Sequence, residues 1–377
     1  MPTTVTPAPI DASQFPPAAK GKTVFFTGAT GYIGGTVLQK LLSLPTPPSL
    51  ITILIRDHQK AELLQKLEVA GVKIQALIGS LEDFDKLRKA AEEHDVVVST
   101  ANCDDLNGIS AMLDGMKQRK AKTGQTSLLI HTSGTGALVD NAKGMYAGDI
   151  IYTDLDPEPK TNESLQLHSI EELPDTANHR EVDLAITAAD AAGDCRSYII
   201  LPSTIWGEAT GLLVDLGFSH SFSQQFPKLI RLALDRGQAG MIGKGANIWP
   251  HVNIQDTGDL YAVVYNGALR DDIGHGKSGY YFAAPGEYTL LSVVQAIGTA
   301  LVDLGYGEDA QPKTFSPEEV QKYFRGSNFS GTNSRAVNPR STGIGWKPKY
   351  TEMEDVVRHL REEMVRLERT YGRKWSR

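Results

Sequence analysis

The stretch TVFFTGATGYIGGTVLQKLL, residues 23–42, restricts the possible folds more than any other part of the chain. Gly28, Gly31 and Gly34 directly follow a short β-rich run and open an amphipathic helical one. Glycine meets three needs there: a tight turn, close approach of backbone N–H groups to a pyrophosphate, and close packing of the helix on the strand. The helix N-terminus adds partial positive charge. Strand, turn and helix in this order predict a dinucleotide seat built from Gly28, Thr30, Gly31, Tyr32, Ile33 and Gly34.

Beyond Lys22, apolar β-rich runs alternate with longer amphipathic stretches, which predicts βαβ units and a parallel sheet. Strands are expected at 23–27, 50–55, 72–78, 95–100, 127–131 and 197–201. The fold class is α/β, a Rossmann-type doubly wound parallel sheet with a smaller, mostly C-terminal substrate domain. Thr100 and Ala101, at the end of the fourth strand and just past it, and Pro202, just past the sixth, are counted with the cofactor-binding residues. Residues 81–94 read as a crossover helix with Leu81, Phe84, Leu87 and Ala91 on its apolar face. Further helices are expected at 178–193, 257–270, 289–304 and 351–371. The Pro-, Ala- and Thr-rich residues 1–20 are expected to be a disordered arm, 21–202 the dinucleotide-binding domain and 203–377 mainly the substrate domain, with some segments returning to the sheet. The Pro- and acid-rich insertion 140–178 follows the fifth strand at the ligand edge and reads as a lid.

Roughly 20 residues past the last glycine, an acid selects NAD and an arginine admits the 2′-phosphate of NADP. Arg56 stands 22 residues after Gly34. Its planar fork suits a phosphate, so NADP(H) is the expected cofactor. In the other arrangement Arg56 is a solvated strand-end charge and Asp57 takes the ribose hydroxyl. A net charge of −7 gives no basic footprint for nucleic acid. No apolar run reaches the roughly 18 residues of a membrane span, and no secretory leader is apparent. Two cysteines, Cys103 and Cys195, fit a reducing compartment, so the expected location is cytoplasmic. The expected partner is a small molecule, with neither nucleic acid nor membrane; a homodimer is left open. No His, Cys, Asp or Glu cluster has metal-ligand spacing, and no Gly-x-Ser-x-Gly elbow is present.

TGATGYIGG, DVVVSTAN and HTSGTG together resemble the extended short-chain dehydrogenase/reductases. ILPSTIWG at 200–207, PHVNIQDTGDLYAVV at 250–264 and GIGWKPKYTEMEDVVRHL at 343–360 extend the resemblance over about residues 22–365. It implies that Ser133 holds a substrate carbonyl, with Thr135 as its neighbour and substitute. The family also carries a Tyr and, four residues later, a Lys on the helix after the long loop. This chain has no Tyr-x-x-x-Lys; His179 and Asp183 stand there instead, four residues apart on one helical face. A histidine can donate a proton at neutral pH, and Asp183 one turn away would orient its ring. Alternatively, His179 caps the helix or bonds the lid while Arg180 pairs with a loop acid. Tyr146 and Tyr152 are further acid candidates on the lid.

In that family Trp206, Phe218, Phe222, Phe226, Trp249 and His251 fall in the substrate region, and such a lining suits a hydrophobic or phenolic molecule. The leading expectation is an NADPH-dependent reductase of a carbonyl or conjugated double bond. Its rival is a non-catalytic NADP(H) sensor resembling the NmrA-type regulators, favoured by the missing Tyr and Lys. A nucleotide-sugar epimerase or dehydratase is disfavoured.

Overall fold

The computed structural model describes residues 3–4, 21–69, 71–155 and 167–374. The expected arm therefore lies outside the described residues except for Thr3–Thr4, which pair in parallel with Leu67–Glu68. The centre of the expected lid, 156–166, also lies outside them.

Seven parallel strands form the main sheet: β1 (Thr23–Thr27), β2 (Leu50–Ile55), β3 (Lys73–Ile78), β4 (Val96–Ser99), β5 (Ser127–Thr132), β6 (Cys195–Pro202) and a late strand, Tyr280–Ala283. Their spatial order is β3, β2, β1, β4, β5, β6 and then the late strand. The first six follow the order of a doubly wound dinucleotide-binding sheet. Both faces are covered, so the strands are near-continuous apolar runs rather than alternating ones. Neighbouring residues serve opposite cores: Val24, Phe26, Ile51 and Ile130 enter one cluster, Phe25, Val97 and Leu129 the other.

Helix α1 (Tyr32–Leu42) follows β1, α2 (His58–Gln65) follows β2, α3 (Phe84–Glu93) follows β3, and α4 (Leu106–Thr123) and α5 (Arg180–Ala191) precede β5 and β6. The structure corrects the apolar face expected for 81–94. Leu87, Ala90 and Ala91 are the buried residues of α3, whereas Phe84 is 39% exposed at its start. Helices α3 and α4 approach closely, a Cβ on Gly115 lying 2.1 Å from the Arg88 carbonyl oxygen, and Phe84 at the first position of α3 is left exposed.

The chain after β6 divides its work. A three-stranded sheet, β7 (Thr204–Trp206), β8 (Ile248–Asn253) and the later Gly286–Thr289, packs with helices α6 (Gln225–Arg236), Leu290–Asp303 and Met353–Tyr371 around a separate core. Helix α7 (Ile254–Arg270) and the late strand Tyr280–Ala283 return to the main sheet. Asp256 joins the two family-like motifs of this half: its carboxylate accepts the backbone N–H groups of Lys349 and Tyr350 at 3.0 Å each, and its carbonyl accepts Trp346 Nε1–H at 2.8 Å. Burial raises the pKa of Asp256, while the Lys349 and Tyr350 N–H groups lower it. The described part of the 140–178 segment is tied by Asp154. Its carboxylate accepts N–H groups from Phe282, Arg340 and Ser341.

Candidate active site

The phosphate turn is explained glycine by glycine. Gly28 has φ +84°, and a Cβ there would lie 2.6 Å from the Ala101 nitrogen. A Cβ on Gly34 would lie 2.1 Å from the Gly28 carbonyl oxygen and 2.5 Å from Thr100 Oγ1. These two glycines are required by the protein itself, because Thr100 and Ala101 press against the turn; Thr100 Oγ1 donates to the Thr27 carbonyl at 2.9 Å. Gly31 differs, since a Cβ there would meet only the Gly28 carbonyl oxygen, at 3.2 Å. Its emptiness leaves room for a ligand. Gly31 is also the N-cap of α1 and offers no side-chain cap, and no acid stands in the first turn. The helix thus presents unblocked N–H groups and its positive end, a cradle that fits a pyrophosphate. Tyr32 fastens the turn by donating its hydroxyl to the Gly207 carbonyl at 2.6 Å. Thr30 accepts the backbone N–H of His220 through its carbonyl at 3.2 Å, and Ile33 packs against the core beneath.

At the end of β2 the two candidate ribose residues have different duties. Asp57 is the N-cap of α2, its carboxylate accepting the N–H groups of Gln59 at 2.8 Å and Lys60 at 3.3 Å. Arg56 is exposed and forms no ion pair among the described residues. The acid is occupied by the helix, and the guanidinium faces solvent.

Past the carboxyl end of β5, Ser133 is buried, its N–H donating to the Ile200 carbonyl at 2.8 Å. Ser133 Oγ–H donates to Asp183 Oδ2 at 2.9 Å. Asp183 is fully buried, and its Oδ1 has no partner among the described residues. Burial pushes its carboxyl up to about 7, against the lowering effects of Ser133, His179 and Arg180. The expected pairing of His179 with Asp183 does not form. His179 Nδ1 lies 2.7 Å from Asp104 Oδ1 and 3.2 Å from Cys103 Sγ instead. The reason is local: the His179 carbonyl accepts the Asp183 N–H at 3.1 Å, one turn on, but the left-handed conformation of residue 179, φ +65°, turns its ring off the face they would share. Nor does His179 cap the helix, because its side chain makes no cap hydrogen bond. Its Nε2 lies beside the glycine turn after Ser133, 3.5 Å from where a Cβ of Gly134 and 3.2 Å from where a Cβ of Gly136 would be. Arg180 reaches Glu171 at 3.5 Å and donates to the Tyr280 hydroxyl at 2.9 Å. Thr135 is buried with Oγ1 unpartnered among the described residues, and its carbonyl accepts Ser334 Oγ–H at 2.7 Å. Pro202 ends β6, and its carbonyl oxygen lies 3.8 Å from where a Cβ of Gly134 would be. The lid tyrosines stand differently: Tyr146 is 54% exposed, and the ring of Tyr152 lies 5.9 Å from that of His168.

With this geometry in place, an NAD(P)H-binding family profile matches residues 28–147, the span from the glycine turn past Ser133. Residues 28–147 thus match an NAD(P)H-binding domain, set in a Rossmann-type α/β fold. Among solved structures, the PbgP3 protein of Burkholderia pseudomallei superposes with a TM-score of 0.61 at 11% identity, covering 94% of this chain and 100% of that one. DesIV, a dTDP-glucose 4,6-dehydratase of Streptomyces venezuelae with NAD and TYD bound, superposes with a TM-score of 0.58 at 16% identity, covering 93% and 97%. In sequence the chain is similar to the oxidase ucsJ of an Acremonium species, 26% identical over 364 residues, 91% of this chain and 99% of the relative.

Within that fold the expected substrate aromatics do not form one wall. Phe226 and Trp249 line a cavity of about 240 Å³ together with Gln224, Gln225, Lys228, Leu229, Asn247, Tyr288, Leu290, Phe329 and Ser330. Trp206 lines a different, charged cleft of about 510 Å³ with Glu208, Arg358, Glu362 and Arg366. Phe218 is sealed in the core near α1, Phe222 lies under the Arg366 guanidinium, and His251 is buried, accepting Trp206 Nε1–H at 3.1 Å. Sequence reasoning also missed three neighbours of His179: Cys103, Asp104 and buried His131. Both ring nitrogens of His131 lack partners among the described residues, and burial lowers its pKa to about 3. The only sequence signal for the first two was their place immediately after the end of β4.

Proposed function

We propose that the protein is an NADPH-dependent reductase of a carbonyl or conjugated double bond in a small hydrophobic molecule. The observation that carries this reading is the buried Ser133–Asp183 pair at the carboxyl end of β5, beside His179 Nε2 and on the ligand edge of a dinucleotide-binding sheet. The bound dinucleotide supplies hydride. With Asp183 protonated, its O–H donates to Ser133 Oγ and frees the Ser133 hydroxyl for the substrate oxygen, and His179, oriented at Nδ1 by Asp104, offers Nε2 as donor on the other side. Asp183, raised to about 7, stores a proton behind Ser133 at neutral pH.

The exposed Arg56 beside a committed Asp57 supports NADP over NAD. The cavity at Trp249 supports an apolar substrate: among its described lining residues Lys228 alone is charged, and its ammonium stands 4.6 Å over the Phe324 ring. A nucleotide sugar such as the dTDP-glucose for which DesIV is named carries a diphosphate, which would need more cationic partners than that. The relative named an oxidase is consistent with redox chemistry.

Following NADPH absorbance across aromatic aldehydes, ketones and enones tests the reading. Turnover that survives Ser133→Ala at full rate overturns the site. The sensor reading is favoured by one observation, Asp183 in place of the family lysine. It predicts NADP(H) binding unaccompanied by oxidation of any substrate and undiminished by Ser133→Ala.

A further inference from the structure

We propose that Cys103, Asp104 and His179 form a site for one divalent transition-metal ion, with zinc the ion their chemistry favours. The Sγ, Oδ1 and Nδ1 atoms all lie within 4.8 Å of one another. They come from two segments some 75 residues apart, the loop after β4 and the start of α5, so only the fold assembles them. Sulfur, imidazole nitrogen and carboxylate oxygen make a borderline-soft set: calcium and magnesium take oxygen ligands, whereas zinc takes all three of these.

The spacing suits that ion. Bonds of roughly 2.3 Å to sulfur and 2.0 Å to nitrogen in a tetrahedron put those two atoms about 3.5 Å apart. Sγ and Nδ1 are 3.2 Å apart here, and Nδ1 and Oδ1 2.7 Å. A small outward shift admits the ion, and the Asp104 side chain is 60% exposed and able to make it. A buried histidine lies nearby but outside the ligand set. His131 is 1% exposed, has both ring nitrogens unpartnered among the described residues, and feels the charges of His179 and Asp104.

Three protein ligands leave a fourth position open, which distinguishes catalytic from structural zinc sites. Asp104 and His179 also line an open cavity of about 630 Å³. On binding, the ion replaces the Cys103 thiol proton, which leaves to solvent, and takes the Nδ1 lone pair of the neutral His179 tautomer that carries its proton on Nε2. The ring keeps Nε2–H beside the Gly134–Gly136 turn. In the reductase reading the open position would take the substrate oxygen and polarise it; that role rests on the reading above, whereas the metal site does not.

The test uses the full chain, reduced and stripped with a chelator, titrated with cobalt(II) as an optical probe. The expected result is one cobalt per chain with a near-ultraviolet thiolate-to-cobalt charge-transfer band, displaced by zinc. Cys103→Ser should abolish the band, and His179→Ala should weaken cobalt binding by roughly tenfold or more. Cys195→Ser, which changes a buried strand residue, should retain the band. Absence of the band in the folded wild-type chain overturns the proposal, as does a band that survives Cys103→Ser. NADPH titration of the same samples keeps the readings apart: a chain that binds NADPH but no cobalt loses only the metal site, and one that binds cobalt but no NADPH loses only the reductase.

Discussion

Two helix N-termini face the ligand edge of the sheet, and they are built in opposite ways. Helix α1 begins at a glycine with no side-chain cap and no acid in its first turn. Helix α5 begins at a histidine in a left-handed conformation and carries Glu181 and Asp183 in its first turn. The first is a bare positive end suited to phosphate. The second carries two acidic side chains in its first turn, one of them buried against Ser133, so it lacks the bare positive end that a phosphate takes.

The largest effect expected from breaking this contrast is at Gly31. Gly31→Val should lower affinity for any nicotinamide dinucleotide by about 10²-fold or more, roughly 2.7 kcal/mol, because the side chain fills the cradle. The fold should survive, since only the Gly28 carbonyl is near. Calorimetric titration with circular dichroism on the same sample checks both. A variant that still binds would put the phosphates elsewhere.

At α5, Ser133→Ala and His179→Ala should each cut turnover by about 10²-fold, a size common for general acid–base groups, with NADPH affinity kept. Single-turnover kinetics measure it. An unchanged rate in His179→Ala with a lost rate in Ser133→Ala would leave Asp183, through Ser133, as the proton source.

The buried carboxylate adds a pH effect with a definite sign. Unfolded, Asp183 titrates near 3.9, whereas burial raises it to about 7 in the folded chain. Between these values the native state binds the extra proton, so this contribution to stability is full below about pH 4 and is lost as pH rises through about 7. Melting temperature should therefore fall from pH 5 to pH 8 more in the wild type than in Asp183→Asn. Parallel slopes in the two proteins would remove the buried-proton account.

Smaller is the effect at the ribose end. Arg56→Ala should remove a preference for NADP over NAD of about tenfold, near 1.4 kcal/mol. Asp57→Ala should leave that preference alone and cost about 1 kcal/mol of stability through the lost cap. The smallest expected signal is in hydrogen exchange. Amides of the described parts of 140–178 should slow when NADPH and substrate are present, and uniform protection without ligand would make the segment a fixed insertion.

Much of the fold was legible because it is local. The strands at 23–27 and 50–55 agree to the residue with the sequence reading, since β-branched runs buried on both faces leave few alternatives. Strand β6 runs further than expected, Cys195–Pro202, because pairing with β5 draws in Cys195 and Arg196, which no local pattern marks. Phe84 was misplaced for a related reason: periodicity finds a face but not how closely the next helix approaches it. The glycine turn was legible as a strand–turn–helix, and the structure adds that crowding requires Gly28 and Gly34 while Gly31 is open. The chemistry at α5 was only half legible. Spacing paired His179 with Asp183, yet the left-handed conformation at residue 179 turned the ring to Asp104 and Cys103 and left the acid to Ser133.

The sequence by itself determined the parallel sheet, the phosphate turn and the absence of a Tyr-x-x-x-Lys pair, because each is written in neighbouring residues whose conformational and burial preferences are strong. Only the tertiary structure decided which partners His179 and Asp183 have, that Asp57 is a helix cap, and that the aromatic side chains divide among a cavity, a charged cleft and the core. The first of those outcomes depends on contacts between residues 50 to 75 positions apart. Their energies arise from desolvation and hydrogen-bond geometry, which exist only once distant segments have been brought together.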